Sequence, residues 1–146
     1  MSKKLGIVAL VLLVMASCAV ASASELNSSV SNGHYIVVPV HSSGLMHPMV
    51  STGTISQGMT NWHTRVVSSS VTSLNVDLYW GKPSNSLRLK IYSPDGYSFG
   101  PYYDSSDGVT DGQIYFYINN PSGIAHGSWS YEVYGDRVTG TQNYSL

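Results

Sequence analysis

Four stretches of the chain alternate strictly between apolar and polar side chains. Leu74, Val76, Leu78 and Trp80 fall on one parity, and Asn75, Asp77 and Tyr79 on the other. Leu87, Leu89 and Ile91 alternate with Arg88, Lys90 and Tyr92. Ile114, Phe116 and Ile118 alternate with Gln113, Tyr115, Tyr117 and Asn119, and Trp129, Tyr131 and Val133 with Ser130, Glu132 and Tyr134. A period of two sets each apolar group on one side of a pleated strand. A strand with one apolar and one polar side belongs to an antiparallel sheet wetted on one face. Two such sheets must stack to bury their apolar faces. The pattern therefore predicts an all-β fold, an antiparallel two-sheet β-sandwich.

Turn formers punctuate these stretches: Gly81-Lys82-Pro83-Ser84-Asn85, Ser93-Pro94-Asp95-Gly96, Asp107-Gly108, Asp111-Gly112 and Asn119-Asn120-Pro121-Ser122-Gly123. The short loop after Trp80 suggests a hairpin joining 74–80 to 87–92, with Asp77 facing Lys90; an arch between the two sheets is the alternative. Upstream, Tyr35-Ile36-Val37-Val38-Pro39-Val40 is an apolar run with strand character, and Pro39 predicts an edge position. Trp62, Trp80 and Trp129 are expected in the core.

The first 23 residues follow other rules. Lys3 and Lys4 precede the uncharged apolar run Leu5–Met15, and Ala21-Ser22-Ala23 has the small-x-small form of a cleavage site. This predicts a secretory signal peptide over 1–23, its apolar run too short for a bilayer span of about 20 residues. A tether over 24–33 and a β-sandwich domain over 34–146 complete the predicted organisation. Met15-Ala16-Ser17-Cys18 also resembles a lipobox, so lipidation of Cys18 at the cell surface is the alternative to free secretion. Cys18 is the sole cysteine, and the folded domain therefore relies on its core rather than on a disulfide.

Without the leader, five Lys and Arg face eight Asp and Glu. A net acidic chain argues against nucleic acid or an anionic membrane as partner. Charged residues make up only 10% of the chain; Ser, Thr, Asn, Gly and Tyr supply its polarity instead.

From about residue 53 the order of short motifs resembles a family. Gly53-Thr54-Ile55-Ser56-Gln57-Gly58 and Trp62 come first, then Ser73–Trp80, Leu87–Gly96, Gly127–Gly135 and the ending Asn143-Tyr144-Ser145-Leu146. This succession is similar to the pre-peptidase C-terminal domains, jelly-roll-like β-sandwiches attached to exported enzymes. The resemblance implies a jelly-roll-like sandwich and an accessory role, and it allows a calcium site. The chain departs from the family in carrying no catalytic domain, and Ser86, Arg88 and Lys90 stand where aspartates often precede the leucines of a central strand.

Candidate chemistry is sparse. Gly96-Tyr97-Ser98-Phe99-Gly100 matches the nucleophile-elbow pattern, with aspartates and His126 downstream. That elbow needs a strand before the serine and a helix after it, whereas here Pro94 precedes and Pro101 follows. A glycine-rich turn and a non-enzymatic protein are expected. Asp104, Asp107 and Asp111 are the candidate metal ligands, for calcium, but they lack the alternate acids and distal Glu of an EF-hand, so no tight site is predicted. His34, His41 and His47 have no metal-ligand spacing. Tyr97, Tyr102 and Tyr103 are the candidate ligand-binding residues, since exposed rings stack on sugars or form interfaces. Asn27 and Asn143 begin glycosylation sequons. The sum is a secreted, non-enzymatic binding or accessory module without a cofactor, acting on an extracellular protein or cell-surface polymer; the alternative is a carbohydrate-binding module using exposed tyrosines.

Overall fold

A computed structural model of the chain describes residues 29–41 and 51–146. The predicted signal peptide, Cys18, Asn27 and His47 lie outside the described residues. Among the described residues ten strands carry the fold: β1 (Val30–Asn32), β2 (Tyr35–Pro39), β3 (Thr52–Ser56), β4 (Thr60–Val67), β5 (Ser73–Tyr79), β6 (Ser86–Tyr92), β7 (Ser98–Tyr102), β8 (Gln113–Asn119), β9 (Gly127–Arg137) and β10 (Thr141–Ser145). A 3-10 turn, Asp104–Asp107, precedes β8. The strands form a six-stranded sheet in the order β1-β2-β8-β5-β10-β3 and a four-stranded sheet in the order β4-β9-β6-β7. Every pairing is antiparallel. From β3 onward the chain passes between sheets at almost every connection, which produces the weave of a jelly-roll-like sandwich. No helix among the described residues is long and apolar enough to cross a membrane.

The alternating stretches lie as their parity requires. Leu78, Leu87, Leu89, Ile91, Ile114, Ile118, Trp129 and Val133 are fully buried between the sheets. Tyr35, Phe99 and Trp129 pack mutually at one end, with ring centroids 5.4–5.8 Å apart. The Tyr35 hydroxyl donates to Asp95 Oδ2 at 2.8 Å, fastening β2 to the β6–β7 turn. Burial, with the Asp95 carboxylate second, pushes this phenol up to about 12.

Three expectations are corrected. The hairpin between 74–80 and 87–92 does not form: β5 pairs with β8 and β10, β6 with β9 and β7, and the 81–85 loop arches from one sheet to the other. A buried polar knot holds the arch in place. Asn85 Nδ2 donates to Gln142 Oε1 at 2.7 Å, Gln142 Nε2 donates to the Trp80 carbonyl at 3.0 Å, and the Trp80 indole N–H donates to the Lys82 and Asn85 carbonyls. A hairpin would leave these groups unpaired. Second, β2 is not an edge strand, because Val30–Asn32, expected in the tether, pairs with it as β1. Pro39 is accommodated because the β1 ladder reaches only as far as Val37 among the described residues. Third, Trp62 is outside the core, 59% exposed.

The reason for the third lies in β4. Its inward residues are polar: Asn61, His63 and Arg65 precede a buried Val67. Asn61 Nδ2 donates to the Tyr144 hydroxyl at 3.0 Å, which lies 2.7 Å from His63 Nε2, while His63 Nδ1 lies 2.9 Å from Ser51 Oγ. Burial lowers the His63 pKa, favouring the neutral ring. The network ties the edge of the small sheet to β10 across the sandwich. With polar groups facing in, the apolar parity of β4 (Trp62, Val66) faces out.

Candidate functional site

The outward face of the four-stranded sheet brings together side chains far apart in sequence. Strand register sets three rows across β4, β9 and β6: Thr60–Tyr134–Arg88, Trp62–Glu132–Lys90 and Thr64–Ser130–Tyr92. Ser130 is small, so Trp62 and Tyr92 lean together over β9, with ring centroids 5.7 Å apart and planes 34° from parallel. The Tyr92 hydroxyl donates to Glu132 Oε2 at 2.9 Å, and Arg88 Nη2 lies 3.6 Å from Glu132 Oε1. The Arg88 guanidinium stacks on Tyr134, 4.2 Å from the ring centroid, and Lys90 Nζ sits 5.4 Å from that of Tyr92.

These contacts make a ridge whose polar groups are mutually oriented and whose apolar crest is open. Glu132 and Arg88 are largely covered, with side-chain exposures of 16% and 28%. Trp62 and Val66, 59% and 65% exposed, project beside them. A large aromatic thus stands open to solvent next to a half-buried ion pair. The ridge is locally basic, holding Arg88 and Lys90 against Glu132 in a chain that is otherwise acidic.

The tyrosines singled out from the sequence do not form a shared platform. Tyr97 is half-buried, packed edge-on against His34 and Tyr35 with centroids 5.1 and 5.3 Å away. Tyr102 turns inward onto Phe116 at 4.5 Å, and burial pushes its phenol up to about 12. Tyr103 alone is exposed, at 37%, where its backbone N–H donates to Ser106 Oγ and opens the 3-10 turn. Tyr97 immediately precedes β7 and Tyr102 ends it, and both rings turn toward the core, which parity alone cannot reveal.

The aspartates serve the backbone. Asp104 Oδ1 accepts the N–H groups of Asp111, Gly112 and Gln113 at 3.2, 3.0 and 3.3 Å. Asp107 Oδ1 accepts from Val109 and its Oδ2 from Tyr115, both at 3.2 Å. Both carboxyls are buried, and that burial pushes their pKa values above the ordinary carboxylate range against the pull of these hydrogen bonds. Asp111 is half-exposed. No group of three His, Cys, Asp or Glu side chains placed to hold a metal ion occurs among the described residues. Ser98 opens β7 on an exposed position, and no hydrogen bond joins it to His126 among the described residues. Asn143 is exposed on β10.

Sequence reasoning missed the ridge although it had placed Arg88, Lys90 and Tyr92, and Glu132 and Tyr134, on outward parities. The missing information was the register between β6, β9 and β4, which brings the two groups together and adds Trp62.

Fold and face together define a class: an antiparallel β-sandwich with an aromatic, partly charged outer sheet. No family model matches the chain. A stretch of 42 residues, 29% of the chain, is 50% identical to part of an uncharacterized protein of Archaeoglobus fulgidus, spanning 58% of that relative's length.

Proposed function

We propose that this is a secreted, non-enzymatic binding module that attaches to an extracellular protein or cell-surface polymer through the Trp62–Tyr92–Glu132–Arg88–Tyr134 ridge. The open Trp62 ring beside an oriented carboxylate and guanidinium carries the reading. An exposed indole is costly to leave in water, and together with Tyr and Arg it is the side chain that most often dominates binding energy. The leader-like Met1–Ala23 supports export, and the motif order similar to pre-peptidase C-terminal domains supports an accessory role. The basic character of the ridge suits an acidic partner surface.

Cosedimentation of the chain with insoluble cell envelopes of its source organism tests this. Wild type is expected to pellet, and Trp62→Ala to weaken binding roughly thirtyfold, the equivalent of about 2 kcal/mol. Because Trp62 lies outside the core, its thermal midpoint should stay near that of wild type. Equal sedimentation of the two proteins, or none of the wild type, removes the ridge from the binding function.

A further inference from the structure

On the opposite side of the molecule the six-stranded sheet opens. β10 meets β5 at one pair, Ser145 with Tyr79. Immediately beyond it, the N–H groups of Trp80 and Gly81 both donate to the Gly112 carbonyl, at 2.8 and 2.9 Å, and the β5 end turns away from β10. The parting leaves an open cleft of about 620 Å3, lined by Thr52, Thr54, Tyr79, Trp80, Asn143 and Ser145 among others. Its size falls in the range of small-molecule sites.

The lining is chemically selective. Among the described residues it contains no Asp, Glu, Lys, Arg or His. Thr52, Thr54 and Ser145 offer hydroxyls and Asn143 an amide, groups able both to donate and to accept. None of these four side chains hydrogen-bonds within the described residues, so their polar ends face the cleft and solvent. Tyr79, 47% exposed, supplies an open ring face at one wall. Trp80 is immobilised at the base by its two indole hydrogen bonds. An aromatic wall beside a row of neutral donor-acceptors, with no charged side chain among the described residues of the lining, is complementary to a ring carrying many hydroxyls and an apolar face.

We propose that this cleft binds a neutral sugar unit of a glycan. It lies on the other sheet from the Trp62 ridge, and the inference does not rest on the function proposed for that ridge. Amide chemical-shift mapping on the labelled chain provides the test, with neutral gluco-, manno- and N-acetylglucosamine oligosaccharides as probes, and a uronate oligomer and an extended Ser/Thr-rich peptide as counter-probes. At least one neutral sugar is expected to shift residues 52–54, 79–81 and 143–145. Tyr79→Ala should weaken that binding about tenfold or more. Thr54→Val, a milder change on the exposed face, should weaken it by a smaller factor while leaving the spectrum folded. Trp62→Ala should leave it unchanged. Absence of cleft shifts with every neutral sugar at about 10 mM, a dissociation constant beyond useful recognition, overturns the proposal. So does a stronger response to the uronate or the peptide, or sugar shifts confined to the ridge.

Discussion

Asp104 shows how much of this fold hangs on single polar atoms. One carboxylate oxygen gathers three successive backbone N–H groups at the entry to β8. Asp104→Ala would leave those donors without their acceptor inside a covered loop, at a cost of about 3 kcal/mol in the urea midpoint analysis. Asp104→Asn retains an acceptor oxygen and should cost less. The pH dependence has a defined sign. Burial raises the folded pKa of Asp104, so the unfolded chain releases its proton first as pH rises. The carboxyl's contribution to stability is therefore greatest below the unfolded value near ~4, and declines as pH climbs through the raised folded value. The stability advantage of wild type over Asp104→Asn should shrink over that window; an advantage that grows would mean the ionised form is the favoured one. The tryptophans provide the second contrast at this scale. Trp129→Ala should destabilise by about 3–5 kcal/mol, whereas Ser98→Ala on the exposed start of β7 should stay within about 0.5 kcal/mol, as read from denaturant midpoints. Trp129 was legible as core because Tyr131 and Val133 share its parity. Asp104 was not legible as a backbone acceptor, since an aspartate among Ser and Gly looks the same whether it binds a cation, water or its own chain.

At the scale of elements, the alternation in β5, β6, β8 and β9 reported both the strands and their inward faces, because hydrophobic burial is a property of each strand alone. Pairing is not. The 81–85 loop has the composition of a hairpin turn, yet the Asn85–Gln142–Trp80 knot requires an arch, and its far partner, Gln142, lies 57 residues from Asn85. Asn85→Ala removes the donor to Gln142 and the acceptor of the Thr139 N–H. Because Asn85 is buried, the loss should approach about 2–3 kcal/mol, a chemical-denaturation measurement that would be near neutral if the arch were held by its apolar flanks. β4 was the least legible element. Its inward side carries Asn61, His63 and Arg65, so its apolar parity, Trp62 and Val66, faces solvent, and a reading that sends apolar side chains inward places Trp62 on the wrong side. The candidate ridge was hidden for the same reason: each contributor was visible on its own strand, and only cross-strand register assembles them.

For the molecule as a whole, order of pairing carries a consequence for how the chain comes to be folded. β2 finds its partner in β8, with Ile36 opposite Asn119, and β3 finds its partner in β10, with Thr52 opposite Ser145. The beginning of the domain is thus completed by its end, and the Tyr35–Asp95 bond adds a further long closure. Loops of this length must be closed before their contacts return any stabilisation, which places folding in the slow, all-or-none regime of high-contact-order β proteins, milliseconds to seconds. A ribosome-bound chain that has not yet released Thr141–Ser145 cannot pair β3 with β10. The six-stranded sheet is therefore completed only after those residues have left the ribosome.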